Sequence, residues 1–142
     1  MRFPRPSPAA PPLRQIESMR RNFPQFQYRA LRQGGLGWSG VLFPTPSSPR
    51  YLVHIRHQPG RPPKVFVRSP QLVPGAKHLN PDGSLCLYWP RDFQWRDAEL
   101  LAETLVPWTA FWLFYYEIWQ LTGEWVGPEA PHGEEKVVEE GS

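Results

Sequence analysis

The sequence predicts an α+β chain: an N-terminal helix, a four-stranded antiparallel meander, a long irregular loop holding the lone cysteine, and C-terminal helices. Three observations predict it. Apolar residues recur at helical spacing near the N-terminus and again, densely aromatic, after residue 97. Between them lie four short alternating runs separated by Pro- and Gly-rich turns. The stretch 69–96 then keeps no period, and a long irregular segment in a compact domain usually serves function.

Each element has its own local reason. Residues 1–12 carry five prolines and read as a poorly ordered arm. Residues 13–22 read as a helix, with Leu13, Ile16 and Met19 as an apolar stripe and Arg14, Arg20 and Arg21 on solvated faces; Pro24 stops it. The strands are expected at Phe26–Leu31, Trp38–Phe43, Tyr51–His57 and Lys64–Arg68. Tyr51, Val53 and Ile55 share one face, as do Val65 and Val67. Short connections between successive strands favour antiparallel pairing.

A helix is expected from Asp97 as N-cap through Leu105, ended or kinked by Pro107. A second is expected over 108–121, with Gly123 as C-cap. Its aromatics Trp108, Phe111, Trp112, Tyr115 and Trp119 predict a deeply packed core helix. The run is shorter than the ~20 residues a bilayer span needs, and it contains Glu117. Residues 133–142 form a small acidic tail.

With 142 residues and 40% hydrophobic content, the chain is long enough for one domain with a core. A single cysteine excludes an intramolecular disulfide and fits a reducing cytoplasm; no signal peptide is visible. The net charge of +3 hides a split. Residues 1–77 hold thirteen Lys/Arg and one acid, and residues 78–142 hold three and twelve, or +12 against −9. Such a split serves a basic face meeting an acidic partner, or halves that neutralise one another on folding.

The chemistry centres on Cys86. Asn80-Pro81-Asp82-Gly83 is strong turn chemistry, since Pro fixes φ and Gly supplies a positive φ. The thiol follows at once, inside an apolar patch, as a displayed nucleophile would. No Lys or Arg lies within four residues of it, so nothing local lowers its pKa.

From Trp38 to Trp95 the chain resembles the core of ubiquitin-conjugating enzymes. Pro62-Pro63 stands before the fourth strand, then come His78, Gly83-Ser84-Leu85-Cys86-Leu87 and Trp95. Pro107-Trp108-Thr109, Tyr115-Tyr116-Glu117, Trp119 and Thr122-Gly123-Glu124-Trp125 resemble the bacterial branch. That branch includes proteins of cyclic-oligonucleotide antiphage systems (CBASS) and of bacterial ubiquitin-like operons. The likeness covers about residues 13–132, the expected catalytic domain of UBC-like fold.

The resemblance implies a thioester relay with no cofactor and no metal. A protein C-terminus arrives activated on an adenylating enzyme, passes to Cys86 as a thioester, and is accepted by an amine. The cargo would be a ubiquitin-like protein or a CBASS nucleotidyltransferase. Among family positions, Asn80 supports the oxyanion, or else only opens its turn, since its spacing to Cys86 is shorter than the family's usual one. His78 is a loop anchor through its ring nitrogens; Asp82, Gly83, Trp95 and His132 support the loop. Arg14, Arg20 and Arg21 on the first helix would dock the activating enzyme.

Three other readings compete. A non-catalytic UBC-fold adaptor would not need Cys86. A nucleic-acid-binding protein would suit a pI near 9.3 and the Arg and aromatic residues of 20–68, but no base-reading motif is present. A zinc site finds no ligand-pair spacing among Cys86, His54, His57, His78 and His132, and His54 and His57 fall on opposite strand faces.

Overall fold

The computed structural model describes residues 12–88, 95–96 and 98–128. The Pro-rich arm up to residue 11, Asp97 as N-cap, His132 and the acidic tail lie outside the described residues.

The first helix, α1, spans Pro12–Asn22. Four strands follow: β1 (Gln27–Ala30), β2 (Leu36–Leu42), β3 (Tyr51–His57) and β4 (Lys64–Ser69). They form a meander in the order β1-β2-β3-β4, antiparallel throughout. The expected α+β class and the antiparallel order are therefore observed. A 3-10 turn at Leu101–Glu103 leads into the long helix α2, Leu105–Thr122.

The inner sheet face follows the period of two. Tyr51, Val53 and Ile55 are almost fully buried, and Trp38 of β2 pairs with Ile55. Gly40 on β2 is small for a reason: a Cβ there would stand 2.6 Å from the Phe26 ring. One core joins this face to Leu105, Val106, Trp112, Leu113 and Tyr116 of α2. The edge strand β1 departs from expectation. All four of its residues are exposed, and of the alternating set only Phe26, ahead of the strand, is buried.

Both helices differ in detail from the sequence reading. On α1, Leu13 is 71% exposed, while Gln15, Ser18 and Met19 are buried. The buried amide of Gln15 donates to Glu99 O at 2.8 Å and accepts from Leu101 N at 3.1 Å. It thus satisfies main-chain groups of a segment that lacks a ladder. Pro107 neither ends nor kinks a helix; it sits in the first turn of α2. There its missing N–H costs nothing, because the first N–H groups of a helix have no intrahelical acceptor. Gly123 closes α2 at φ 83°, as expected of a left-handed cap.

The aromatic stripe is also rotated. Leu105, Thr109, Trp112, Leu113 and Tyr116 face the core, whereas Phe111 is 59% exposed. Glu117, the acid in this apolar helix, accepts from Tyr51 Oη at 2.7 Å and Ser48 Oγ at 2.9 Å. Its negative charge, after burial itself, pushes the Tyr51 phenol well above its usual range. No helix among the described residues is long and apolar enough to cross a membrane.

Candidate functional site

The polar tips of two aromatic side chains in the middle of α2 hold the irregular segment onto the core. Tyr116 Oη accepts from Val73 N at 2.8 Å, and Trp112 Nε1 donates to His78 O at 3.3 Å. His78 adopts φ 60°, a left-handed conformation uncommon outside glycine. Its carbonyl also accepts from Cys86 N at 2.9 Å, and its ring packs on Trp125 at 4.7 Å. The anchoring visible at His78 therefore runs through its carbonyl and its ring face.

Between His78 and Cys86 the chain makes a closed turn. Leu79 pairs with Leu85, Asn80 N donates to Ser84 O at 2.8 Å, and Gly83 N donates to Asn80 O at 2.9 Å. Gly83 has φ 90°, which a side chain would resist. Leu85 N then reaches Val65 O at 2.9 Å, fastening the turn to β4.

Side chains complete it. Asn80 Nδ2 donates to Ser84 Oγ at 3.0 Å and Leu85 O at 3.3 Å. Asp82 Oδ1 accepts from Ser84 N at 2.9 Å and Ser84 Oγ at 2.6 Å, and its Oδ2 accepts from Lys64 Nζ at 2.6 Å. Those partners, Lys64 first, hold the Asp82 carboxyl well below the usual carboxylate range.

Cys86 is a free, half-buried thiol. It makes one long contact, Sγ to Tyr88 O at 3.8 Å, and burial pushes its pKa up. It lines an open groove of about 1390 Å³ together with Asn80, Asp82 and Lys64. An accessible nucleophile on a rigid turn beside an open groove is an arrangement suited to acyl transfer.

The remaining expected residues lie further out. Trp95 is half-buried, its ring edge-on to His57 at 5.9 Å, and His57 lines the same groove. Arg14, Arg20 and Arg21 are exposed on α1, with Arg20 paired to Glu17 at 2.8 Å. His54 is half-buried and meets Ser39 Oγ at 3.1 Å, whereas His57 is buried, so the two take opposite faces. Among the described residues no three His, Cys, Asp or Glu side chains group to hold a metal ion.

Sequence reasoning missed Lys64, Ser84, Tyr88 and Trp112 as parts of this site. An Asp followed two residues later by Ser is an Asx-turn signal that points to Ser84. Nothing local points to Lys64 or Trp112, whose contacts span 18 and 34 residues of sequence.

The sequence model of one protein family, described as Type II CBASS E2 protein, matches residues 15–133. No curated protein matches the chain.

Proposed function

The chain belongs to the Type II CBASS E2 protein family, with an E2-like role in CBASS antiphage defence beside other CBASS components, and on that premise we propose that Cys86 is its thioester-carrying nucleophile. The observation that carries the reading is the thiol's placement: half-buried, on a turn fastened at both ends, at the wall of an open groove. The α+β order observed is compatible with a UBC-like fold, and the proposal includes that topology.

Loading is a thiol exchange. Cys86 Sγ attacks the carbonyl carbon of a cargo C-terminus held as a thioester on an adenylating enzyme. The new S–C bond forms, the partner's C–S bond breaks, and the Cys86 proton leaves with the partner's sulfur. An acceptor amine then attacks the same carbon. A C–N bond forms, the bond to Cys86 breaks, and the amine's proton restores the thiol. No cofactor is consumed at this chain. Cargo is a ubiquitin-like protein or a CBASS nucleotidyltransferase.

Burial raises the Cys86 pKa, so the thiol, not the thiolate, predominates at neutral pH. Nucleophilic attack then draws on the intrinsic reactivity of sulfur and on positioning. Asn80 and Asp82 act on position. Asp82 holds Ser84 within the turn and Lys64 outside it, whereas Asn80 Nδ2 spends its hydrogen bonds inside the turn, which supports the turn-opening role of Asn80 over the oxyanion role. His78 anchors the loop, with Gly83 and Trp95 in support, and His132 belongs to the same expected set. Arg14, Arg20 and Arg21 form the docking face for the adenylating enzyme.

Incubation with that enzyme, ATP and cargo tests the reading on non-reducing gels. A cargo adduct that dithiothreitol removes, and that Cys86→Ala lacks, is expected. An adduct undiminished in Cys86→Ala overturns it.

A further inference from the structure

The groove beside Cys86 is strongly one-signed. Its walls include Arg32, Arg56, Arg61 and Lys64 and a single carboxylate, Asp82. Lys64 already neutralises Asp82 at 2.6 Å. Among the described residues no carboxylate pairs with Arg32, Arg56 or Arg61. The field continues onto the outer sheet face, where Arg56 and Arg68 flank the Phe66 ring at 5.6 and 5.2 Å. His54 in the same wall has its pKa lowered, first by burial and then by Arg68 and Arg56.

We infer that this groove selects an acyl donor whose C-terminal tail carries carboxylates, with Arg32, Arg56 and Arg61 as the specificity residues; the inference rests on the thioester role of Cys86 for the direction in which the tail lies.

The thiol in the wall requires a partner with an acyl end, which a peptide C-terminus has and a nucleic acid lacks. An acceptor amine is the opposite case: it arrives cationic, and a groove whose Arg32, Arg56 and Arg61 meet no paired carboxylate among the described residues repels it. The acyl donor's tail, in contrast, must leave the carbonyl along the groove, and side-chain carboxylates there meet the guanidinium forks. Such contacts at an open groove act more on selection and encounter than on raw affinity, and they weaken with salt.

The test reads binding without chemistry, on the full chain carrying Cys86→Ala. Two short fluorescein-labelled peptides ending in glycine are compared by anisotropy, one with Asp and Glu upstream and one with Asn and Gln in their place. The acidic peptide is expected to bind about tenfold tighter at low salt, with the preference shrinking as salt rises. Combining Arg32→Gln, Arg56→Gln and Arg61→Gln is expected to abolish the preference at an unchanged thermal midpoint.

Equal binding of the two peptides by the parent overturns the inference, as does a preference that survives the triple substitution. An oligothymidine that binds more tightly than the acidic peptide and displaces it overturns it in favour of nucleic acid. Because the protein used has no thiol, failure of thioester loading leaves this result standing, and failure here leaves the loading result standing.

Discussion

The main-chain N–H of Cys86 donates to the carbonyl oxygen of His78 at 2.9 Å, so the lone thiol is registered by a residue on the far side of its own turn. The same carbonyl accepts from Trp112 Nε1, which ties the turn to α2 and through it to the core. Thiol position is thus a property of the packed fold.

Burial raises the Cys86 pKa, so its thiolate fraction is small at neutral pH and grows as pH rises toward and past the ordinary thiol value of about 8.5. Single-turnover loading from a preformed thioester donor should rise continuously from neutral into alkaline pH, without a plateau near neutrality. Quenched-flow rates across that range check it, and a plateau below pH 7 contradicts it.

Asp82 and Lys64 separate two ways of holding the turn. The exposed ion pair contributes little by itself, whereas the Asp82 bonds to Ser84 shape the backbone directly. Asp82→Ala should slow loading on the order of tenfold, the scale of a misplaced nucleophile, and Lys64→Met should slow it less. The reverse order contradicts the assignment. Asp82 has a depressed folded pKa, so its contribution is present above the unfolded carboxylate value and is lost as pH falls through the folded one. The turn should therefore be insensitive to pH across the neutral range.

Gly40→Ala tests the packing under the sheet. Its new Cβ would stand 2.6–2.8 Å from the buried Phe26 ring, so destabilisation of about 1–3 kcal/mol is expected from urea unfolding. An unchanged midpoint contradicts the close approach.

Charge reversal on α1 tests docking. Arg14, Arg20 and Arg21 are exposed and one of them is held by Glu17, so Arg20→Glu with Arg21→Glu should leave thermal stability nearly unchanged. Loading by the adenylating enzyme should fall several-fold through the apparent KM, since exposed charges govern encounter. Loading at the parent's rate and KM contradicts the docking role.

How far the sequence reveals this depends on whether a contact is local. β3 is predicted to its end residues because strict alternation from Tyr51 to His57 sits between strong turns. The meander order follows from short connections, and the cysteine turn from Asn80-Pro81-Asp82-Gly83. The faces of the helices are less legible. Spacing three on α1 marks Leu13 as core beside Met19, yet Leu13 is exposed and Gln15, whose partners lie 84 and 86 residues away, is buried instead. α2 is apolar all round, so periodicity says little about which side is buried, and Phe111 faces out. In the site, Ser84 is implied by its neighbours, whereas Lys64 and Trp112 enter only when β4 and α2 are folded against the turn.

The most direct measurement of the central claim is the intact mass of the chain after incubation with its adenylating enzyme, ATP and cargo, followed by peptide mapping. The account predicts one cargo addition, located on the peptide that contains Cys86 and released by hydroxylamine at neutral pH. With Cys86→Ser it predicts an oxyester at the same position that resists dithiothreitol. An addition that maps to a lysine, or one retained in full by Cys86→Ala, contradicts it.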